Sequence, residues 1–219
     1  MMEPRQALYL GLSVAFRPPT LSHMEGGTDN ELLGIVVEAA EVLGYDTMKE
    51  PLSCLRDYLD ALAQRDIAEA LVELEAEYNR LFVGPLPPLA HPYESVYRTA
   101  EGMVMGDCTL DVFQTYAEEG FVLSTEYKDL PDHVAVELEY MALLCQREAE
   151  ARVEGLETVV SRLQKKESVF LEEHLGRWLP QFCQRILLAA PSSFYRQWVQ
   201  ITERFTHEDA RWMQERKEA

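Results

Sequence analysis

His133 and Glu137 stand four residues apart in Pro131-Asp132-His133-Val134-Ala135-Val136-Glu137, a spacing that puts an imidazole and a carboxylate on one helix face, a turn apart. Such a pair can ligate a metal, serve a hydrolase as base and acid, or form a first-turn hydrogen bond or ion pair beside a capping aspartate, here Asp132. A tetrahedral or octahedral site needs more ligands than these, and none is spaced beside them. His174 falls between Phe170 and Trp178 at four-residue steps, the pattern of a packed, hydrogen-bonded core histidine. Cys54, Cys108, Cys145 and Cys183 form no C-x-x-C pair and read as reduced, partly buried thiols. Gly-rich phosphate loops, G-x-S-x-G and H-E-x-x-H are all absent from the sequence, so no enzyme is expected.

A second informative stretch, residues 77–98, carries Tyr78, Leu81, Phe82 and Gly84, then Pro92, Tyr93, Glu94, Ser95 and Tyr97. It cannot be one helix, because Pro85, Pro87, Pro88 and Pro92 remove backbone donors and push the residues before them into extended conformations. A proline-rich surface loop at about 83–95 is expected. Leu81 and Phe82 suit either the core beneath this loop or the floor of a groove. Gly84 supplies a backbone conformation closed to other residues, and Glu94 and Ser95 could cap the short segment after Pro92.

The elements that must carry these residues are helical. Leu8, Leu12 and Phe16 recur at helical spacing, and Arg17-Pro18-Pro19 rules out a signal-peptide cleavage pattern. After a glycine-containing link at 25–29, Leu33, Val36, Ala40 and Leu43 mark a helix that Gly44 can close. Pro51 opens another, with Leu52, Leu55, Leu59 and Leu62 on its buried side. Asp66 and Glu69 form a capping box ahead of Ile67, Leu71, Leu74, Tyr78 and Leu81. Leu110, Phe113 and Tyr116–Ala117 mark a shorter helix ending near Gly120. Asp132 is placed to cap the next helix, with Val134, Leu138, Met141 and Cys145 inward. A long polar helix runs to His174-Leu175-Gly176, Pro180 starts another, and Pro191 stops it. Ser192 or Ser193 then caps a last helix carrying Phe194, Trp198, Ile201 and Phe205 at steps of four, three and four. No stretch alternates at strand length. The expectation is an all-α, single-domain bundle of about nine to eleven helices over 1–219, with 205–219 a frayed tail.

The chain has 219 residues, 47% of them hydrophobic, and a formal net charge of −18. That composition allows a substantial core. The charge disfavours nucleic acid and anionic membranes and attracts basic partners, although acids also serve simply to solvate helix faces. No apolar run approaches the roughly 20 residues that span a bilayer, so a soluble, cytoplasmic protein is expected.

Taken together, Tyr78-x-x-Leu81-Phe82-x-Gly84-Pro85, Pro92-Tyr93-Glu94-Ser95-Val96-Tyr97, Pro131-Asp132-His133-x-x-x-Glu137-Leu138 and the tail Phe170-x-x-x-His174-Leu175-x-x-Trp178 with Phe194-Tyr195 resemble the TorD/DmsD/NarJ family of redox-enzyme maturation chaperones. The resemblance covers about residues 5–206 and looks closest to the TorD and DmsD branches; before Glu77 it is one of helical pattern only. It implies an all-helical cytoplasmic chaperone, without a cofactor of its own, that binds the twin-arginine leader and the apo-catalytic subunit of a molybdoenzyme of the DMSO-reductase type and assists cofactor insertion before export. A leader of that kind is basic and then apolar, so its receptor needs acids beside an apolar groove. The resemblance implies peptide-binding residues Tyr78, Leu81, Phe82, Gly84, Pro92, Tyr93, Glu94, Ser95, Tyr97, Asp132, His133 and Glu137. The acids Glu94, Asp132 and Glu137 would face guanidinium groups. A NarJ-like assembly chaperone for a non-exported subunit and a metal- or nucleotide-dependent hydrolase at His133 and Glu137 are the alternatives. Monomer and domain-swapped homodimer both stay open, with the proline-rich loop and Gly26-Gly27 as hinges.

Overall fold

The computed structural model describes residues 2–20, 28–84, 87–99, 102–124, 127–190 and 194–218. Ten α-helical segments lie within them: α1 (Pro4–Ala15), α2 (Thr28–Leu43), α3 (Lys49–Leu62), α4 (Ile67–Tyr78), α5 (Glu94–Arg98), α6 (Asp107–Glu118), α7 (Val134–Val153), α8 (Glu157–Phe170), α9 (Gly176–Ala189) and α10 (Phe194–Glu218). There is no strand among the described residues, only an isolated antiparallel bridge between Tyr93 and His133. The all-α expectation holds. Gly26, Gly27, Pro85 and Pro191 to Ser193 lie outside the described residues.

The centre of the bundle is α7. Its first three turns are buried on nearly every side, with Val134, Ala135, Val136, Leu138, Tyr140, Met141, Ala142, Leu144 and Cys145 all buried and Glu139 turned toward Arg17 at the surface, as befits a helix with neighbours almost all round. One of these neighbours is α1, and α8 packs against α7 as well. Small residues of α1, including Ala7, Gly11 and Ser13, permit close approach, and Ser13 Oγ donates to the Ala135 carbonyl at 2.7 Å. Phe16 closes α1 over Phe82 and Phe182, with ring centroids 6.4 and 5.5 Å away.

Helix ends follow local chemistry. The Asp66 carboxylate accepts from the Ala68 and Glu69 amides at 3.0 and 3.1 Å, satisfying orphan donors at the start of α4, while Ile67 itself is exposed. Gly44, at φ +71°, ends α2 as expected. Other boundaries moved. Beyond Tyr78 the chain winds on through a π-helical turn, Asn79–Val83, and stops at Gly84, whose φ of +88° suits only glycine. A second π-helical turn, Leu171–Leu175, joins α8 to α9 without a break, so Pro180 lies inside α9 and does not start it. Gly176 is needed at this junction, because a Cβ there would sit 2.6 Å from the Leu171 carbonyl oxygen.

The tail expected to fray from 205 is instead helix through Glu218. Asp209, on this tail, accepts from Arg5 Nε at 2.6 Å, Arg5 Nη2 at 3.1 Å and the Tyr9 hydroxyl at 2.6 Å. Arg5 also reaches Glu167 at 2.7 Å and Glu148 at 3.4 Å, and its guanidinium lies 4.6 Å over the Trp212 ring. The first helix is thereby locked to the last around a buried cation. On α6, sequence spacing located the helix but not its inner face: Thr109, Val112 and Tyr116 are buried, whereas Leu110 and Phe113 are exposed.

Candidate functional site

The two motif blocks meet along a backbone seam. Glu94 N donates to the Asp132 carbonyl at 3.0 Å and Val134 N to the Pro92 carbonyl at 2.8 Å, on either side of the Tyr93–His133 bridge. Asp132 caps a helix, but not the one expected. Its Oδ2 accepts from Ser95 N at 2.9 Å, in the first turn of α5, across the seam. The cap of α7 is His133, whose Nδ1 accepts from Ala135 N at 3.1 Å. An accepting nitrogen must be unprotonated, and burial holds this imidazole down to about 4.

The acids face inward. Glu94, Asp132 and Glu137 are each fully buried; the open acidic groove expected from sequence is a closed seam in this conformation. Glu94 binds Arg98 at 2.6 Å and His174 Nδ1 at 3.0 Å. Arg98 also donates to the Glu173 carbonyl at 2.7 Å, tying α5 to the second π turn. Glu137 accepts from Trp178 Nε1 at 3.0 Å and lies against Glu94. Burial, then the Glu94 charge, pushes the Glu137 carboxyl well above the usual carboxylate range. Two adjoining buried carboxyls do not both ionise, and because Glu94 already faces Arg98, the proton belongs on Glu137. Ser95 Oγ and Asp132 Oδ1 are buried without a hydrogen-bond partner among the described residues.

Tyr78, Leu81 and Phe82 are core side chains. Phe82 packs edge-on to Tyr78 and Tyr195 at 5.0 and 5.1 Å, so these residues support the seam from beneath and do not line an open groove. Tyr97 is half-buried between Trp178, at 5.4 Å, and the Arg185 guanidinium, 4.6 Å over its ring. Tyr93 is half-buried, with its hydroxyl donating to Asp129 at 2.8 Å. His174 is a packed core histidine stacked on Phe170 at 4.7 Å. No group of three or more His, Cys, Asp and Glu is arranged to hold a metal among the described residues.

Sequence reasoning missed Arg98, Trp178 as the partner of Glu137, and Asp129. Arg98 was findable, at i+4 from Glu94. Asp129 offered no signal.

A family model described as "Nitrate reductase delta subunit" matches residues 45–184, a span that contains the whole seam. The chain belongs to that family. Within the family it is similar to proteins named "Chaperone protein TorD": to that of Photobacterium profundum at 29% identity over 164 residues, 74% of this chain and 73% of the relative. It is also similar to that of Vibrio vulnificus (strain YJ016), at 24% over 204 residues, 93% and 91%. A crystal structure of a redox enzyme maturation protein from Archaeoglobus fulgidus aligns over 96% of this chain and 93% of its own, with 21% identity and a TM-score of 0.49. No described helix is long and apolar enough to cross a membrane.

Proposed function

We propose that this protein is a cytoplasmic maturation chaperone, not an enzyme, that binds the twin-arginine leader and the apo form of a molybdopterin-containing oxidoreductase subunit of the DMSO-reductase type. It holds that subunit until the cofactor is inserted. The observation that carries this reading is the seam: motif blocks some forty residues apart in sequence are joined at Pro92–Ser95 and Asp132–Val134, in a family whose similar members are named chaperones. In this reading Tyr93, Tyr97 and Gly84, with Asp129, form the rim that meets the leader, over the buried Pro92. Glu94, Ser95, Asp132, His133 and Glu137 hold that rim in place and supply the acids a guanidinium reaches when the seam opens, and Tyr78, Leu81 and Phe82 support it. A net charge of −18 draws in a basic leader.

Calorimetry with synthetic leaders of the molybdoenzymes encoded beside this chain tests the idea. Binding is expected at low salt, weaker as ionic strength rises. Tyr93→Ala and Asp129→Ala should weaken it about tenfold without unfolding the chain. Failure to bind any such leader would refute the proposal. The family description favours one second reading, a NarJ-like assembly chaperone for a subunit that is not exported; binding of a leaderless client with unchanged affinity would select it.

A further inference from the structure

Helix α6 carries apolar side chains on both faces. Thr109, Val112 and Tyr116 fill the inner one, while Leu110 and Phe113 stand outward at 63% and 54% exposure. The turn just before it adds Met103 and Met105, at 58% and 71% exposure. Met105 has φ +66°, the one positive value on a non-glycine among the described residues. A bulky side chain in that region costs free energy, and an exposed one gains no packing to offset it. Flexible thioethers make a surface that adapts to varied apolar partners.

The charge carried by this helix has one sign, and the cations beside it, Arg98 and Lys166, are engaged by carboxylates. Asp107 and Asp111 are exposed on α6, which contains no Lys or Arg. Lys166, from α8, is engaged by Glu118 at 3.1 Å and Glu119 at 2.7 Å. The patch is continuous with the seam: Tyr116 donates to the Pro131 carbonyl at 3.1 Å, Met103 N donates to Thr99 Oγ1 at 3.1 Å, and Asp111 lies 3.7 Å from His174, the partner of Glu94.

We propose that the outer face of α6 and the turn at 102–106 dock the apolar, helix-forming segment of a basic leader, with Leu110, Phe113, Met103 and Met105 as contact surface and Asp107 and Asp111 flanking it. This deepens the proposed function and rests on it. Acids beside an apolar stripe complement a segment that is cationic and then apolar. The twelve residues of α6, about 18 Å of helix, match some three turns of such a segment.

The test is calorimetry of the full chain with two synthetic peptides, the complete client leader and the same leader cut before its apolar stretch. The variants are Leu110→Ser/Phe113→Ser, Asp107→Asn/Asp111→Asn and, as control, Val153→Ser at an exposed position on α7. For the complete leader, Leu110→Ser/Phe113→Ser should lose about tenfold or more in affinity, and Val153→Ser none. Asp107→Asn/Asp111→Asn should lose several-fold at low salt and less at high salt. The cut leader should bind wild type and Leu110→Ser/Phe113→Ser alike. Equal binding of the complete leader by wild type and that double variant overturns this inference while leaving the chaperone reading intact; a wild type that binds neither peptide removes both. A leaderless client bound through the same side chains, or a wild-type dimer that the double variant dissolves, assigns the face to a mature subunit or a second copy and overturns the leader assignment.

Discussion

A histidine that caps a helix through Nδ1 can do so only while neutral, because protonation would turn the acceptor into a donor facing the Ala135 amide. His133 is held down to about 4 from an ordinary 6.5, first by burial. Between those values the unfolded chain takes up a proton that the folded chain refuses, so this residue's contribution is present above pH 6.5 and is lost as pH falls toward 4, about 3 kcal/mol in all. Asn caps as well and does not titrate. In urea unfolding, the stability advantage of wild type over His133→Asn should therefore shrink by about that amount from pH 7 to pH 4; a constant gap would contradict the assignment. Glu137 has the opposite sign. Its folded value is raised by burial and by Glu94, so its contribution is present at low pH and declines as pH rises above about 4.5 through the folded value. Glu137→Gln fixes the neutral form and keeps an acceptor for Trp178. It should leave stability at pH 7 within about 1 kcal/mol of wild type or above it, with its relative standing improving toward pH 8. Glu137→Leu, which strands the buried Trp178 N–H, should cost about 1–3 kcal/mol.

Among the elements, the last helix departs most from expectation. The period of Phe194, Trp198, Ile201 and Phe205 was legible, but beyond Phe205 the sequence is polar, and polar residues at a chain end read as fray. What orders them is Arg5, two hundred residues away, which requires Asp209 as counter-charge. Asp209→Ala leaves a buried guanidinium short of its bidentate partner and should cost about 3–5 kcal/mol, seen as a drop in the urea midpoint; a loss below 1 kcal/mol would show that Glu148 and Glu167 suffice. Helix α6 shows the same limit. Its apolar residues define a helix, but two stripes compete for the core, and only packing against Pro131 and α7 decides that Tyr116 turns inward and Phe113 outward. Likewise, α8 and α9 are one continuous helix because a π turn, relieved by Gly176, carries the chain across a boundary where Pro180 signals a start.

At the scale of the whole molecule, a net charge of −18 on 219 residues means that compaction works against self-repulsion, which salt screens. Added sodium chloride should raise the melting temperature by a few degrees, about 1 kcal/mol, while weakening leader binding; a melting temperature that falls with salt would show the surface ion pairs outweighing the repulsion. The sequence alone determined the all-α class, the position of nearly every helix and the family, because helical period, caps and motif residues are local or keep a fixed order along the chain. Only the tertiary structure decided which groups the motifs serve. His133 takes the α7 cap expected of Asp132, Asp132 caps α5 instead, and Glu94, Asp132 and Glu137 turn inward. Apart from Arg98, which shares α5 with Glu94, their partners Ser95, Trp178 and His174 come from other elements, and the environment that sets a carboxyl's proton or an aromatic's direction exists only once those elements have packed.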